Sequence, residues 1–230
     1  MKKINLALPI LSFLFLAASA PENPSVTAEP APEKTQAFTA EEKTPEAKPV
    51  YERILQTAES QIHTVQPGDT LYEIAQKYKT TVEFLMISNA LKDAVIYPDM
   101  KLKVIAGTFS VQVDKSDNIL TLFLNGQPVK HYRVATGAGD STPAGEFRIV
   151  NKLENPTWFK AGAIVPPGSP ENLLGTRWLG FDKPGYGIHG TKEPESIGQY
   201  VSHGCVRLLN EEVEELYNLL PAGTQATITD

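Results

Sequence analysis

The chain has 230 residues, 41% hydrophobic and 21% charged, and its 21 Lys and Arg against 27 Asp and Glu give a net charge of −6. That length suits one ordinary domain plus a small one, and the acid excess, with no basic cluster, argues against nucleic acid as a partner. A single cysteine, Cys205, rules out an intramolecular disulfide and leaves no Cys pair at metal-binding spacing.

The N-terminus, MKKINLALPILSFLFLAASAPENP, places Lys2 and Lys3 before an uncharged, mainly apolar run from Ile4 to about Ala18, followed by small residues. That is the order of a secretory signal, so residues 1–20 are expected to be a signal peptide and the protein to be exported, to a bacterial periplasm or cell wall. The apolar run is shorter than the roughly 20 residues of a bilayer-spanning helix. An uncleaved anchor, the one expected membrane contact, is the alternative: cutting after Ala20 puts Pro21 beside the scissile bond, so cleavage would fall a residue earlier. No cysteine lies near position 20 to take a lipid. Residues 21–58 are dominated by Pro, Glu, Ala and Thr, and such a stretch buries too little apolar surface to offset its ordering entropy. It reads as a disordered, extended linker.

Residues 60–106 form a compact unit. Ile62 to Val65 is a short β-prone run and Pro67-Gly68-Asp69 is turn chemistry. Asp69 or Thr70 can cap a helix carrying Leu71, Ile74, Ala75 and Tyr78 at spacings of three and four. A second helix starts near Thr81 and presents Val82, Leu85, Met86 and Asn89, and Lys101 to Ile105 returns as a strand antiparallel to the first. VQPGDTLYEIAQKY, SNAL and IYPDMKLKV together resemble a LysM domain, a module that binds N-acetylglucosamine-containing glycans such as peptidoglycan. The resemblance implies a shallow groove between Gly68, Asp69, Thr70 and Leu71 on one side and Ile96, Tyr97 and Pro98 on the other. From the residues alone, Leu71, Ile74 and Tyr78 also fit a plain core role.

Residues 108–230 turn to short strands. FSVQVDK, NILTLFLNG and VKHYRVATG alternate apolar with polar, and Asn125-Gly126 signals a hairpin. GEFRIVNK, RWLGF, YGIHG and a closing QATITD add further strands. One helix stands out, with Leu209, Val213, Leu216, Tyr217 and Leu220 on one face, Asn210 as cap and Pro221 at its end. The expected class is mainly β, a sandwich or barrel-like sheet with one C-terminal helix, beside the small α+β unit. TGAGDSTPAGEF lacks the lysine and following helix of a phosphate-binding loop, so its glycines serve turns.

The chemistry sits in SHGCVR, residues 202–207. Cysteine attacks as thiolate, and a nearby histidine commonly produces it. His203 lies two residues before Cys205, and His189 sixteen before it, where adjacent antiparallel segments would bring the two together. Backbone N–H groups around Gly204 and Cys205 suit an oxyanion, and Arg207 suits a substrate carboxylate. Two other readings fit these residue types. Cys205 can be a small buried hydrophobe, or it can join His189 and His203 on zinc. His63 and His131, in strand patterns, read as ordinary surface residues.

IHGTKEPESIGQYVSHGCVRL resembles the signature of the YkuD-type L,D-transpeptidases, with VATGAGDSTPAGEFRI, LLGTRWLGF and LPAGTQATI in agreement. The resemblance implies Cys205 as nucleophile and His189 as proton acceptor, oriented by the backbone carbonyl of Gly190. It assigns Ser202, His203 and Gly204 to the oxyanion hole and the nucleophile's surroundings, and Arg207, Tyr186 and Trp178 to the peptide stem; an internal salt bridge is the alternative for Arg207. No cofactor and no metal are implied. The implied partner is peptidoglycan, through glycan strand and tetrapeptide stem. The implied reaction is acyl transfer from the third, diamino acid residue of a tetrapeptide with loss of D-alanine, giving a 3-3 cross-link. Hydrolysis or D-amino-acid exchange through the same thioester, or a glycan-binding wall protein with an inactive catalytic domain, are the alternatives. The resemblance also implies acylation by carbapenems. NlpC-type endopeptidases place the cysteine before its histidine, and sortases use a much longer spacing, so neither matches.

Overall fold

The computed structural model describes residues 50–160 and 162–230. The stretch read as a signal peptide, and the linker up to residue 49, lie outside the described residues. The last part of that linker is helical instead: α1, Val50–Thr57, buries Val50 and Ile54. An i,i+4 apolar pair is enough because a ready surface receives it. Arg53 donates to Val129 O at 2.7 Å, and both apolar side chains enter the main core.

The small module follows as β1 (Ser60–Thr64), α2 (Leu71–Tyr78), α3 (Val82–Ser88) and β2 (Lys101–Ile105), with β1 and β2 antiparallel. Thr70 caps α2 in a reciprocal box with Glu73, and the Phe84 amide donates to the Thr81 hydroxyl at 2.9 Å to start α3. Leu71, Ile74, Ala75, Leu85, Leu102 and Val104 make the module's core. Asn89 clamps β2 rather than lining that core, accepting from Lys103 N at 2.6 Å and donating to Lys103 O at 2.9 Å. His63 is not a surface residue: it is 7% exposed, with Nε2 2.9 Å from Asp69 Oδ2 and Nδ1 3.1 Å from the Tyr78 hydroxyl. His131 is exposed but has a partner, its Nδ1 lying 2.9 Å from Thr121 Oγ1.

The larger domain comprises β3 (Phe109–Asp114), β4 (Ile119–Leu124), β5 (Gln127–Arg133), β6 (Thr136–Gly137), β7 (Gly145–Glu154), β8 (Trp158–Lys160), β9 (Ala163–Val165), β10 (Arg177–Phe181), β11 (Gly187–His189), β12 (Tyr200–Ser202), β13 (Val206–Arg207), α4 (Asn210–Leu219) and β14 (Gln225–Thr229). Eight strands form one curled sheet in the order β13-β11-β10-β7-β14-β3-β4-β5. The β4–β5 turn has φ of 53° at Asn125 and 76° at Gly126, the pairing a tight primed hairpin needs. The last strand enters mid-sheet, parallel to β3 and antiparallel to β7. Mainly β with one C-terminal helix beside a small α+β module is therefore the architecture. The helix starts one residue earlier than a side-chain cap at Asn210 would place it: Leu209 occupies the cap position, its amide donating to Glu212 Oε2 at 3.4 Å.

Leu179, Ile188 and Val206 face α4, where they meet Val213 and Leu216 in one cluster. The small module joins that same core. Phe84, 1% exposed, sits with Tyr51 and Phe109 at centroid distances of 6.4 and 5.9 Å. The Thr81 hydroxyl donates to Asn218 O, and Lys103 Nζ reaches Leu55 O at 3.0 Å. Because Phe84 belongs to both units, Phe84→Ala should cost about 3–5 kcal/mol. Calorimetry of the full chain should show one shared transition, lowered in the variant; a separate transition for the small module in the unsubstituted protein would contradict the shared core.

Candidate active site

Pairing in the sheet decides which side chains share the face away from α4. Trp178 of β10 lies opposite His189 of β11, and His189 lies beside Arg207 of β13. β11 and β13 run parallel, not antiparallel as the sequence spacing suggests, with Ile188 beside Val206. Cys205, one residue before β13, thus falls beside Gly187 and on the same face as His189. The antiparallel expectation failed because residues 190–205 cross over and re-enter in the original direction.

His189 is 4% exposed, and its Nδ1 lies 2.6 Å from Gly190 O. Only a protonated Nδ1 can donate to a carbonyl, so Nε2 carries the lone pair. The Trp178 indole stacks on the imidazole at 6.0 Å and 21°. Burial disfavours the imidazolium and pulls the pKa down to about 4; the Gly190 carbonyl works against this and Arg207 adds to it. Burial also pushes the Cys205 thiol up to about 11, against the Gly187 amide and the Arg207 charge. Both shifts favour a neutral thiol beside a neutral imidazole at pH 7 over a thiolate–imidazolium pair. The thiol points to Gly185 O, 3.5 Å away.

The turn ahead of Cys205 is closed on itself. Ser202 Oγ donates to Cys205 O at 2.6 Å and accepts from the Gly204 amide at 3.1 Å. Gly204 has φ of 118°, and a Cβ there would lie 2.7 Å from the Tyr186 ring and 2.8 Å from Ser141 O. The Gly204 N–H, expected to face an oxyanion, is thus held inside the turn. His203 is exposed. Tyr186 lies against Gly204, in the turn before Cys205.

Arg207 is 5% exposed and donates to Glu193 Oε2 at 2.8 Å and Ser196 Oγ at 3.0 Å. Both partners lie on the crossover, so this guanidinium ties the crossover down instead of facing solvent. Asn210, read from sequence as a helix cap, clamps the backbone after the histidine. Its Oδ1 accepts from Thr176 N at 3.1 Å and Thr191 N at 3.2 Å, and its Nδ2 donates to Thr191 O at 2.8 Å. Nothing local in the sequence signals that clamp, because its partners lie 34 and 19 residues away.

The thiol lies on the wall of a largely apolar cleft of about 270 Å³, lined by Leu153, Pro156, Trp158, Phe159 and Trp178 among others. Phe159 and Ile164, cross-strand partners on the β8–β9 hairpin, are 73% and 71% exposed at its edge. A roomier hollow of about 590 Å³ between α1, β5 and α4 contains no thiol; its one imidazole is that of exposed His131, and its Arg53 and Lys130 sit among Glu211, Glu214 and Glu215. The chemistry, not the volume, identifies the smaller cleft. Among the described residues no cluster of three or more His, Cys, Asp or Glu is arranged to hold a metal ion.

In the small module the residues flanking the two expected loops are joined, Val65 N to Met100 O and Asp99 N to Val65 O, each 2.9 Å. Tyr97 is 65% exposed and Pro98 is exposed, whereas Leu71 is buried and Ile96 half-buried. Asp69 is held by the Gln66 amide first and His63 second, which keeps its carboxyl below the usual range. Gly68 and Thr70 are exposed in the same loop.

A neutral thiol has a recognisable pH dependence. The rate of Cys205 alkylation by iodoacetamide should climb about tenfold per unit from pH 7 to 9 without a plateau, following the thiolate fraction below its pKa. A plateau already reached at pH 6 to 7 would mean a resting thiolate–imidazolium pair.

Residues 108–228 match the L,D-transpeptidase catalytic domain family, YkuD, and residues 63–104 match the LysM domain family. Over 126 residues the chain is 46% identical to YqjB of Bacillus subtilis (strain 168), a protein carrying the L,D-transpeptidase name, covering 52% of this chain and 70% of that one. Over 174 residues it is 36% identical to YkuD of the same organism, named likewise, covering 72% of this chain and 97% of that one. Among solved structures, L,D-transpeptidase 3 from Mycobacterium tuberculosis in complex with a faropenem-derived adduct is 14% identical with a TM-score of 0.48, over 75% of this chain and 92% of that one. The chain belongs to the YkuD-type L,D-transpeptidase family, with a LysM domain ahead of its catalytic domain.

Proposed function

We propose that the protein is an exported peptidoglycan L,D-transpeptidase that works through a Cys205 thioester while its LysM domain holds a glycan strand. The observation that carries this reading is the placement of Cys205 and His189 on one face of the sheet, at an apolar cleft, with His189 Nδ1 bonded to Gly190 O at 2.6 Å. That bond leaves Nε2 as the acceptor for the thiol proton. Family membership supports acyl transfer on peptidoglycan and association with the cell wall.

The reaction runs in two halves. The thiol proton moves to His189 Nε2 as Sγ attacks the carbonyl of the third stem residue, a diamino acid. The tetrahedral intermediate collapses, the C–N bond to D-alanine breaks, and the imidazolium protonates the leaving amine. A group whose conjugate acid has a pKa of about 4 is a weak base but releases its proton readily to an amine. The side-chain amine of a second stem then attacks the thioester, its proton passes to Nε2 and on to the departing thiolate, and a 3-3 cross-link remains. Water or a D-amino acid in the acceptor's place gives carboxypeptidase or exchange products.

Role by role, Gly190 orients the base, and Ser202 and Gly204 shape the turn that presents the thiol. His203, exposed beside it, Tyr186 against Gly204 and Trp178 at the cleft belong to the donor's surroundings. The oxyanion donors lie in this turn, with the Gly204 amide released from Ser202 when substrate arrives. Arg207, buried against Glu193, holds the crossover rather than a stem carboxylate. In the LysM domain, Tyr97 and Pro98 beside Gly68, Asp69 and Thr70 offer an apolar wall and backbone groups for a sugar, with Leu71 and Ile96 as support beneath.

Purified protein incubated with disaccharide tetrapeptides should release D-alanine and form dimers cross-linked 3-3, and Cys205→Ala should do neither. Release persisting in Cys205→Ala, or no release by the unsubstituted protein, would overturn the reading. Glycan binding is tested separately by Tyr97→Ala, since removing the whole module would strip Phe84 from the shared core. Binding to isolated sacculi should weaken about 5-fold or more, as expected for loss of an exposed aromatic contact worth over 1 kcal/mol, with soluble tetrapeptide turnover unchanged. Unchanged sacculus binding would move the glycan site elsewhere.

A further inference from the structure

We propose that Trp178 is a positioning residue for the base: its indole fixes the plane of the His189 imidazole so that Nε2 faces the nucleophile, while the same side chain forms part of the acyl-donor cleft. The inference rests on the reading of His189 as proton acceptor, and goes beyond it by giving Trp178 a role exerted through the histidine rather than on the substrate alone.

Register places the two rings together, Trp178 directly opposite His189, and they stack at 6.0 Å and 21°. The bond from Nδ1 to Gly190 O fixes one atom of the imidazole but leaves the ring free to tilt about that atom. A flat neighbour on one side removes that freedom. The indole is itself anchored, its Nε1 donating to Asn151 Oδ1 on β7 at 3.0 Å.

Two glycines give the indole its bed. A Cβ at Gly187 would lie 2.9 and 3.0 Å from indole Cζ2 and Cη2 and 2.5 Å from Leu179 O. A Cβ at Gly180 would lie 2.6 Å from Trp178 Nε1 and 2.2 Å from Asn151 Oδ1. In RWLGF the glycine follows the tryptophan by two residues, and in YGIHG it precedes the histidine by two, so all four positions share one sheet face. Space is cleared along both strands for this ring to lie flat, more than a side chain that merely lined a cleft would need.

The surroundings of His189 leave the indole little competition. From β13 comes Arg207, with Glu193 of the crossover paired to it. Across the sheet α4 contributes neutral Asn210 and, further on, Glu214, which lies 3.9 Å from Arg177. Besides the Gly190 carbonyl that holds Nδ1, Trp178 is the side chain stacked on the imidazole, and its bulk keeps water from the ring.

The test compares Trp178→Leu with Trp178→Phe in the full chain. Two quantities are read: the NMR titration of the His189 ring, which needs no substrate, and the saturation kinetics of acylation by a carbapenem. Trp178→Leu should raise the His189 midpoint by about one unit or more towards its ordinary value, as burial is lost. It should also lower the maximal acylation rate about 10- to 100-fold, the scale of a misplaced catalytic group. Trp178→Phe, which keeps a ring on the imidazole, should retain most of both. A Trp178→Leu protein with an unchanged midpoint and maximal rate, and only a raised half-saturation concentration, would make Trp178 a substrate contact and overturn the proposal. Where Trp178→Leu does not fold, Asn151→Ala frees the indole without removing it; a His189 midpoint and acylation rate unaltered there would equally overturn it. Should the unsubstituted protein fail to turn over tetrapeptides, the proposed function falls while the titration still decides the role of Trp178.

Discussion

Parallel pairing of β11 with β13 governs the site. After His189 the chain cannot turn back directly; it must leave the sheet, cross over through residues 190–205, and re-enter in its original direction. That return puts Cys205 beside Gly187 and Arg207 beside His189, so thiol, imidazole and guanidinium occupy one face within two residues along adjacent strands. The same crossover covers that face. Its Glu193 and Ser196 close on Arg207, and Asn210 clamps its first residues against β10. Orientation of the histidine needs no third carboxylate, because the chain's departure from the sheet leaves the Gly190 carbonyl 2.6 Å from Nδ1.

Burial under that crossover sets the electrostatics. Desolvation penalises the charged form of both partners, taking the imidazole down to about 4 and the thiol up to about 11, and Arg207 favours thiolate over thiol while disfavouring imidazolium. The balance favours a neutral resting pair, and in the proposed mechanism charge separates when a carbonyl arrives to share it. A lone thiol held in this state is a poor target for oxidants, which react with thiolate. Reactivity is thereby coupled to occupancy of the cleft.

Much of this was legible in the residues. Thr70 and Thr81 announce the two helices of the small module, Asn125-Gly126 the hairpin, and the apolar stripe from Val213 to Leu216 the single helix of the larger domain. These are local signals, each contained within a few residues. What escaped notice depends on partners far away in the chain. The helix α1 forms because β5 and α3 receive Val50 and Ile54; His63 is buried because Asp69 and Tyr78 enclose it; Asn210 ties the backbone just before β10 to that just after β11 rather than capping its own helix. Phe84, which the helical spacing does not single out, joins the LysM domain to the catalytic core. The direction of β13 was beyond reach for the same reason, since a sixteen-residue separation fits a parallel return as well as an antiparallel one.

The central claim is that Cys205, deprotonated in passing by His189, carries the acyl group. The most direct measurement is the intact mass of protein quenched in acid during reaction with a tetrapeptide donor alone, followed by peptide mapping. The account predicts a covalent adduct equal to the donor less D-alanine, located on the peptide containing Cys205, formed by the unsubstituted protein and lost in His189→Ala. An adduct retaining the D-alanine, an adduct on another residue, or D-alanine release with no thioester ever accumulating at any quench time would contradict it.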